Sequence, residues 1–242
     1  MKILKWLLLS FLLPIALNAQ TAEEYFKLGN NAYKAQDYIK AESDYLEALK
    51  LNPSNPDLLF NLGNTYVKLN KAPYAQLSYM RALYLNPRMR EASANLEILA
   101  KDASLEIPEL NGAIAFYNEL SILEWTLLAF TSLWLAILFL IVPPLYFKKS
   151  PVWIFTSLIC AITLLVSSFG IYNWMCFADT AVAMKDDVPL RISPVENAPV
   201  SARLSAGQIS QVKKTLGDYL YIETDTGKCG WAKFGDVEPV SD

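Results

Sequence analysis

The sequence predicts a multidomain membrane protein made of an α-helical repeat array, a two-helix transmembrane hairpin and a small all-β barrel. Three observations lead there. The stretch from Tyr25 to Pro53 reappears from Leu59 to Pro87 at an offset of 34 residues. Two long runs further on, 125–147 and 151–178, contain no charged residue. Beyond Asp179 the chain breaks into short alternating segments separated by turn signals.

The repeat is in register at several residue types. Leu28-Gly29-Asn30 returns as Leu62-Gly63-Asn64, Ala41, Tyr45 and Ala48 return as Ala75, Tyr79 and Ala82, and Leu51-Asn52-Pro53 returns as Leu85-Asn86-Pro87. A glycine inside a helical pattern weakens the helix, so it needs a packing reason. Here the missing side chain lets the second helix of a pair approach closely. Alanines seven apart share one face and keep it thin, while Tyr45 and Tyr79 fill the gap between helix pairs. Pro53 and Pro87 stop their helices, because proline lacks an N–H and clashes with the preceding turn.

This period and pattern resemble the tetratricopeptide (TPR) helix-turn-helix repeat. Residues 22–101 are expected to hold two such repeats and a capping helix. Arg90–Lys101, with Ala92, Leu96 and Leu99 at helical spacing, begins like a third repeat and then stops. Solenoids of this kind usually need about three units, so the short groove is expected to be completed by a partner, a second copy or the membrane.

The resemblance implies recognition of protein partners, with the first helix of each pair lining the concave face. By register that face presents Phe26, Asn30, Tyr33 and Lys34, then Phe60, Asn64, Val67 and Lys68. Asparagine amides can hold an extended peptide backbone by donating and accepting at once. Some TPR domains grip a C-terminal carboxylate, and Asn30 and Asn61 fall where that clamp has its asparagines. Its basic positions hold Phe26, Glu91 and Asn95, so a clamp is not expected. The alternative is that the asparagines are simply repeat consensus.

Membrane signals set the topology. Lys2 and Lys5 precede an apolar run from Trp6 to Leu17, and Leu17-Asn18-Ala19 supplies small-residue cleavage before Gln20. Residues 1–19 therefore read as a secretory signal peptide, with an uncleaved anchor as the alternative. Spans are expected at 125–147 and 152–175, since a bilayer core asks for about 20 apolar residues in a helix. Trp125, Tyr146, Trp153, Tyr172 and Trp174 lie near the ends, as interfacial anchors do. Pro143-Pro144 is expected to close the first helix. Lys148 and Lys149 in the hairpin hold its tip on the cytoplasmic side, which leaves the repeats and the C-terminal domain outside, as the signal peptide also requires. The expected location is a bacterial inner membrane, both terminal domains periplasmic. Residues 102–124 form a juxtamembrane linker, or a helix lying on the membrane surface.

The segment 180–242 reads as a small barrel. Short runs such as Val188-Pro189-Leu190-Arg191 and Tyr219-Leu220-Tyr221-Ile222 alternate with turns at Ala206-Gly207, Leu216-Gly217-Asp218 and Asp225-Thr226-Gly227. Leu204-Ser205-Ala206-Gly207, Gly217-Asp218-Tyr219-Leu220 and Gly227-Lys228-Cys229-Gly230-Trp231, in that order, resemble a bacterial SH3-like domain. In some such domains an aromatic groove binds peptidoglycan or peptides, and the matching residues are Tyr219, Tyr221, Trp231 and Phe234. A domain this small needs its large apolar residues for burial, so Trp231 and one tyrosine are expected in the core.

Composition excludes much chemistry. There is no histidine, which removes Ser-His-Asp and Cys-His catalysis and His-ligated zinc. Cys160, Cys176 and Cys229 have no metal-ligand spacing; a Cys176–Cys229 disulfide is left open. No catalytic constellation and no cofactor are expected. With net charge −3 and pI near 5.2, nucleic acid is not an expected partner. The order of parts resembles the BatE-like TPR proteins of Bacteroides aerotolerance (Bat) operons. That resemblance implies an inner-membrane scaffold among Bat proteins, some carrying von Willebrand A domains, with a role in stress tolerance or envelope integrity. The alternative is a wall-sensing module whose SH3-like domain binds peptidoglycan.

Overall fold

The computed structural model describes residues 21–107, 119–146 and 151–241. The expected signal peptide, residues 108–118 of the juxtamembrane linker and the hairpin lysines lie outside the described residues. Two compact units result: one unites the repeats with the C-terminal sheet, the other is the apolar hairpin.

The first unit opens with α1 (residues 21–34), α2 (Tyr38–Leu51), α3 (Pro56–Lys68), α4 (Ala72–Leu85) and α5 (Arg90–Ala103). Their limits have local causes. The Asp37 carboxylate accepts the Lys40 N–H, and the Asn55 side chain accepts the N–H groups of Asp57 and Leu58, satisfying donors that a helix start leaves open. α2 and α4 stop two residues before Pro53 and Pro87. Gln36 and Asn70, 34 residues apart, both take a left-handed backbone (φ 62° and 56°). Ala41, Tyr45 and Ala48 are buried on α2, and Ala75, Tyr79 and Ala82 on α4. α5 buries Ala92, Leu96 and Leu99 and ends in a left-handed Ser104.

The sheet has seven strands: β1 (Thr180–Ala183), β2 (Val188–Arg191), β3 (Val200–Leu204), β4 (Ile209–Leu216), β5 (Tyr219–Glu223), β6 (Cys229–Lys233) and β7 (Val237–Pro239). Their order is β3-β2-β6-β5-β4-β1-β7, with antiparallel neighbours. Ala181, Val188, Leu190, Leu204, Leu220, Ile222, Ala232 and Val237 form the core. The expected barrel is not closed: among the described residues no ladder joins β3 to β7. β7 is three residues long and ends in Pro239, which cannot donate to a further strand. The Arg81 guanidinium of α4 takes the Pro239 carbonyl instead, with Nη2 at 2.8 Å and Nε at 3.3 Å. A helix covers this sheet edge where a strand was expected.

Repeats and sheet are therefore one body, although their sequences read as separate domains. Gln76 of α4 is fully buried, and its Nε2 donates to the carbonyls of Glu106 (2.5 Å) and Gly207 (3.1 Å). Gly207 has φ 75°, and a Cβ there would fall 2.3 Å from Cδ2 of Leu105. The Ile209 N–H donates to the Glu106 carboxylate, and Arg81 also pairs with Glu238 at 3.5 Å.

The second unit is α6 (Ile122–Tyr146) and α7 (Pro151–Ala178). Ile122–Val142 and Val152–Ala178 are long and apolar enough to cross a membrane. A capping box starts α6: the Ser121 N–H donates to Glu124, and the Glu124 N–H to Ser121 Oγ. Two expectations are corrected. α6 does not stop at Pro143-Pro144 but continues to Tyr146; apolar spanning helices tolerate proline where neighbouring groups satisfy the freed carbonyl. Trp125 is not an interfacial anchor, because its ring is buried against Gly170 of α7. Cys160, Cys176 and Cys229 are free thiols.

Candidate partner-binding groove

One polar unit occurs twice in the repeats. A Cβ on Gly29 would lie 2.6 Å from the Tyr45 ring, and one on Gly63 would lie 2.6 Å from the Tyr79 ring. Only glycine lets these rings cross their partner helices. The crossing brings the Tyr45 hydroxyl to Asn30 Oδ1 and the Tyr79 hydroxyl to Asn64 Oδ1, each at 2.7 Å. The next helix supplies a second donor to each oxygen: Asn61 Nδ2 at 3.1 Å and Asn95 Nδ2 at 2.8 Å. Phe26 and Phe60 brace the two tyrosines, with ring centroids 6.0 Å away in both repeats.

Burial pushes the Tyr45 phenol up to about 12, with the nearby Tyr33 adding to the effect. Burial also pushes Tyr79 up to about 12. Both hydroxyls therefore remain donors at neutral pH and fix the two Oδ1 atoms as acceptors. The expectation that each asparagine donates and accepts along a peptide is thereby corrected. The Oδ1 atoms of Asn30 and Asn64 are already engaged, and their Nδ2 groups bond to no described residue. Asn61 and Asn95 spend Nδ2 on their neighbours, and their Oδ1 atoms accept from no described residue. Across α1, α3 and α5 the side chains thus offer, in turn, a donor, an acceptor, a donor and an acceptor.

Asn61 and Asn95 were not among the expected partner-binding residues. Their own 34-residue spacing was the available signal, masked because Lys27 occupies the corresponding place in the first repeat. Tyr33 stacks edge-on against Tyr38 at 5.3 Å. Lys34 and Lys68 are exposed, without a salt bridge among the described residues, whereas Lys27 pairs with Glu23.

The aromatic residues of the sheet lie elsewhere than expected. Leu220, Ile222 and Ala232 face the core, so alternation along β5 and β6 places Tyr219, Tyr221 and Trp231 on the opposite face. None of the three belongs to the core, contrary to the expectation for Trp231 and one tyrosine, because Leu190, Leu204 and Val237 from the flanking strands fill it. Tyr221 pairs across the ladder with Trp231, their rings edge-to-face at 5.3 Å, and Trp231 lies opposite Arg191. Phe234, just past β6, is 50% exposed. Among the described residues no group of three or more Cys, Asp or Glu could hold a metal ion.

A sequence-family model described as TPR repeat matches residues 29–70, and one described as tetratricopeptide repeat matches residues 56–89. The chain carries TPR repeats, which are in general interaction modules for other proteins rather than enzymes. Among solved structures, the Arabidopsis OM64 TPR domain is similar at 18% identity and a TM-score of 0.35, over 62% of this chain and 98% of that one. No curated protein matches the chain in sequence.

Proposed function

We propose that this protein is a membrane-anchored scaffold whose repeats dock an extended segment of a neighbouring membrane protein. The observation that carries the reading is the alternation of free donors and acceptors from Asn30 through Asn61 and Asn64 to Asn95. An extended backbone offers the same alternation of N–H and C=O. Exposed Lys34 and Lys68, one per repeat, favour acidic side chains on that segment, and Tyr33 gives it an apolar rest. Both α6 and α7 cross the inner membrane in this reading, and the repeats and sheet face the periplasm, as the signal peptide and the Lys148–Lys149 tip require. The resemblance to BatE-like proteins of Bat operons makes a membrane neighbour with a von Willebrand A domain the first partner to test, in a role in aerotolerance or envelope integrity.

The test keeps the tyrosine-bound acceptors and replaces each free Nδ2 donor with a carboxylate oxygen, which also adds a negative charge at both sites. In Asn30→Asp/Asn64→Asp each Oδ1 still accepts from its tyrosine, while each free Nδ2 is gone. In-cell cross-linking and purification in mild detergent should recover the von Willebrand A neighbour with the wild type and lose it with the variant. Equal recovery with both would remove the groove from the explanation.

A second reading rests on the outer-face pair Tyr221 and Trp231. An SH3-like sheet with Tyr219, Tyr221, Trp231 and Phe234 outside its core could stack on peptidoglycan. Tyr221→Ala/Trp231→Ala should then abolish sedimentation of the full-length protein with murein sacculi, with its melting temperature unchanged. Unchanged sedimentation would reject that reading.

A further inference from the structure

α5 closes the repeat array and departs from the repeat where the two full units agree. In register with Gly29 and Gly63 it carries Glu97, and in register with Asn30 and Asn64 it carries Ile98. A Cβ on Gly63 would already fall 2.6 Å from the Tyr79 ring. The longer side chain of Glu97 therefore excludes a second helix of the same kind over α5. Phe26 and Phe60, which brace the two tyrosines, give way to Ala94. Ile98 is left 57% exposed.

Ile98 has an aliphatic neighbour. The connections at 52–55 and 86–89 are equal in length, so α3 and α5 leave their preceding helices alike and run the same way. Asn95 Nδ2 reaches Asn64 Oδ1 across these two helices at 2.8 Å. One turn further along each helix, on the same face, come Val67, 39% exposed, and Ile98. Beside its row of amide donors and acceptors the groove thus has an aliphatic pair at the α3–α5 end. Its α1–α3 end is basic. Lys34 and Lys68 hold matching positions there, exposed and without a salt bridge among the described residues. On α5 that position is Asp102, next to Lys101, and Glu91 lies one turn before Asn95, so the positive charge does not extend across α5. Lysines in the last turn of a helix also complement its dipole. An exposed isoleucine in place of a hydrogen-bonded asparagine has no such local use.

We propose that the groove selects a segment with acidic side chains at one end and a single large aliphatic anchor at the other. This selection rests on the docking of an extended segment proposed above, and adds its order and chemistry. Acidic side chains meet Lys34 and Lys68, and the anchor rests on Val67 and Ile98. Glu91 and Asp102 repel acidic side chains from the aliphatic end, so the charged part lies over α1 and α3. The amide alternation that continues into Asn95 favours an extended backbone over a helix from a second copy. Neighbouring helices pack about 8–10 Å apart, and an extended chain rises about 3.3 Å per residue. Acidic side chains and anchor are therefore about three residues apart in the segment.

The test pans a library of randomised linear nonapeptides on the full-length protein in nanodiscs, after counter-selection on empty nanodiscs. The wild type should enrich aspartate or glutamate together with one leucine, isoleucine or methionine about three positions away. Val67→Ser/Ile98→Ser should keep the acidic preference, lose the aliphatic one and bind a selected peptide about tenfold more weakly, with its melting temperature unchanged. Lys34→Glu/Lys68→Glu should do the reverse, keeping the aliphatic preference and losing the acidic one. Acidic peptides without an aliphatic preference, or an aliphatic preference that survives in Val67→Ser/Ile98→Ser, overturn the anchor and leave the groove standing. No enrichment over empty nanodiscs, or the same peptides enriched by Asn30→Asp/Asn64→Asp, overturns the groove and the anchor with it. A wild type that is dimeric where Val67→Ser/Ile98→Ser is monomeric assigns the aliphatic pair to a second copy instead.

Discussion

Tyr79 joins packing to recognition at a single atom. Its ring occupies the space that Gly63 leaves, and its hydroxyl sets the polarity of Asn64. Tyr79→Phe should lower stability by about 1 kcal/mol, the usual net worth of one such hydrogen bond, as read by chemical unfolding. Gly63→Ala should cost more, about 1–3 kcal/mol, because a methyl group 2.6 Å from the ring forces it to move. The raised phenols also predict a pH dependence. Between the ordinary tyrosine value of 10 and the folded value of about 12, unfolded chains have lost protons that the folded protein retains. The stabilisation is thus fully present below pH 10 and is lost as pH rises toward 12. Unfolding measured across that window should show a shallower decline in Tyr79→Phe than in wild type. The glycines, alanines and tyrosines were legible in the sequence because they recur in register. The direction of each asparagine amide was not, since it depends on which hydrogen-bond donors the next helix brings.

At the scale of elements, α4 carries two loads. One side packs its own repeat, and the other receives the sheet through Gln76 and Arg81. Gly207→Ala should destabilise the first unit by about 1–3 kcal/mol, from both the left-handed backbone and the collision with Leu105. Gly217→Ala also has a positive φ, but nothing lies within 4 Å of its Cβ, so only backbone strain of about 1 kcal/mol applies. Thermal melting in detergent separates the two, and hydrogen exchange should rise across residues 204–209 in the first variant alone. Helix positions were readable from periodicity and from Pro53 and Pro87. The α4–sheet contact was not, because Gln76 and Arg81 look like surface residues of a repeat until a distant strand edge needs their donors.

For the whole molecule, the proposed topology makes a direct prediction. In a Cys176→Ser background, Cys229, exposed on β6, should react with a membrane-impermeant maleimide added to spheroplasts. Cys160, inside α7, should stay unlabelled. Labelling of Cys229 only after lysis would place the sheet in the cytoplasm.

The sequence by itself determined the kinds of part present: a 34-residue helical repeat, two apolar helices able to cross a membrane and a set of short antiparallel strands. Each follows from local rules of period, composition and turn chemistry, which operate within a few tens of residues. Only the tertiary structure decided that repeats and sheet form one unit, that the sheet edge is closed by Arg81 rather than by a strand, and that Trp125 packs inside the hairpin. Those outcomes depend on pairings such as Gln76 with Gly207 and Arg81 with Pro239. Buried donors and carbonyls must find partners wherever the folded chain brings them, and no local pattern records partners more than a hundred residues away.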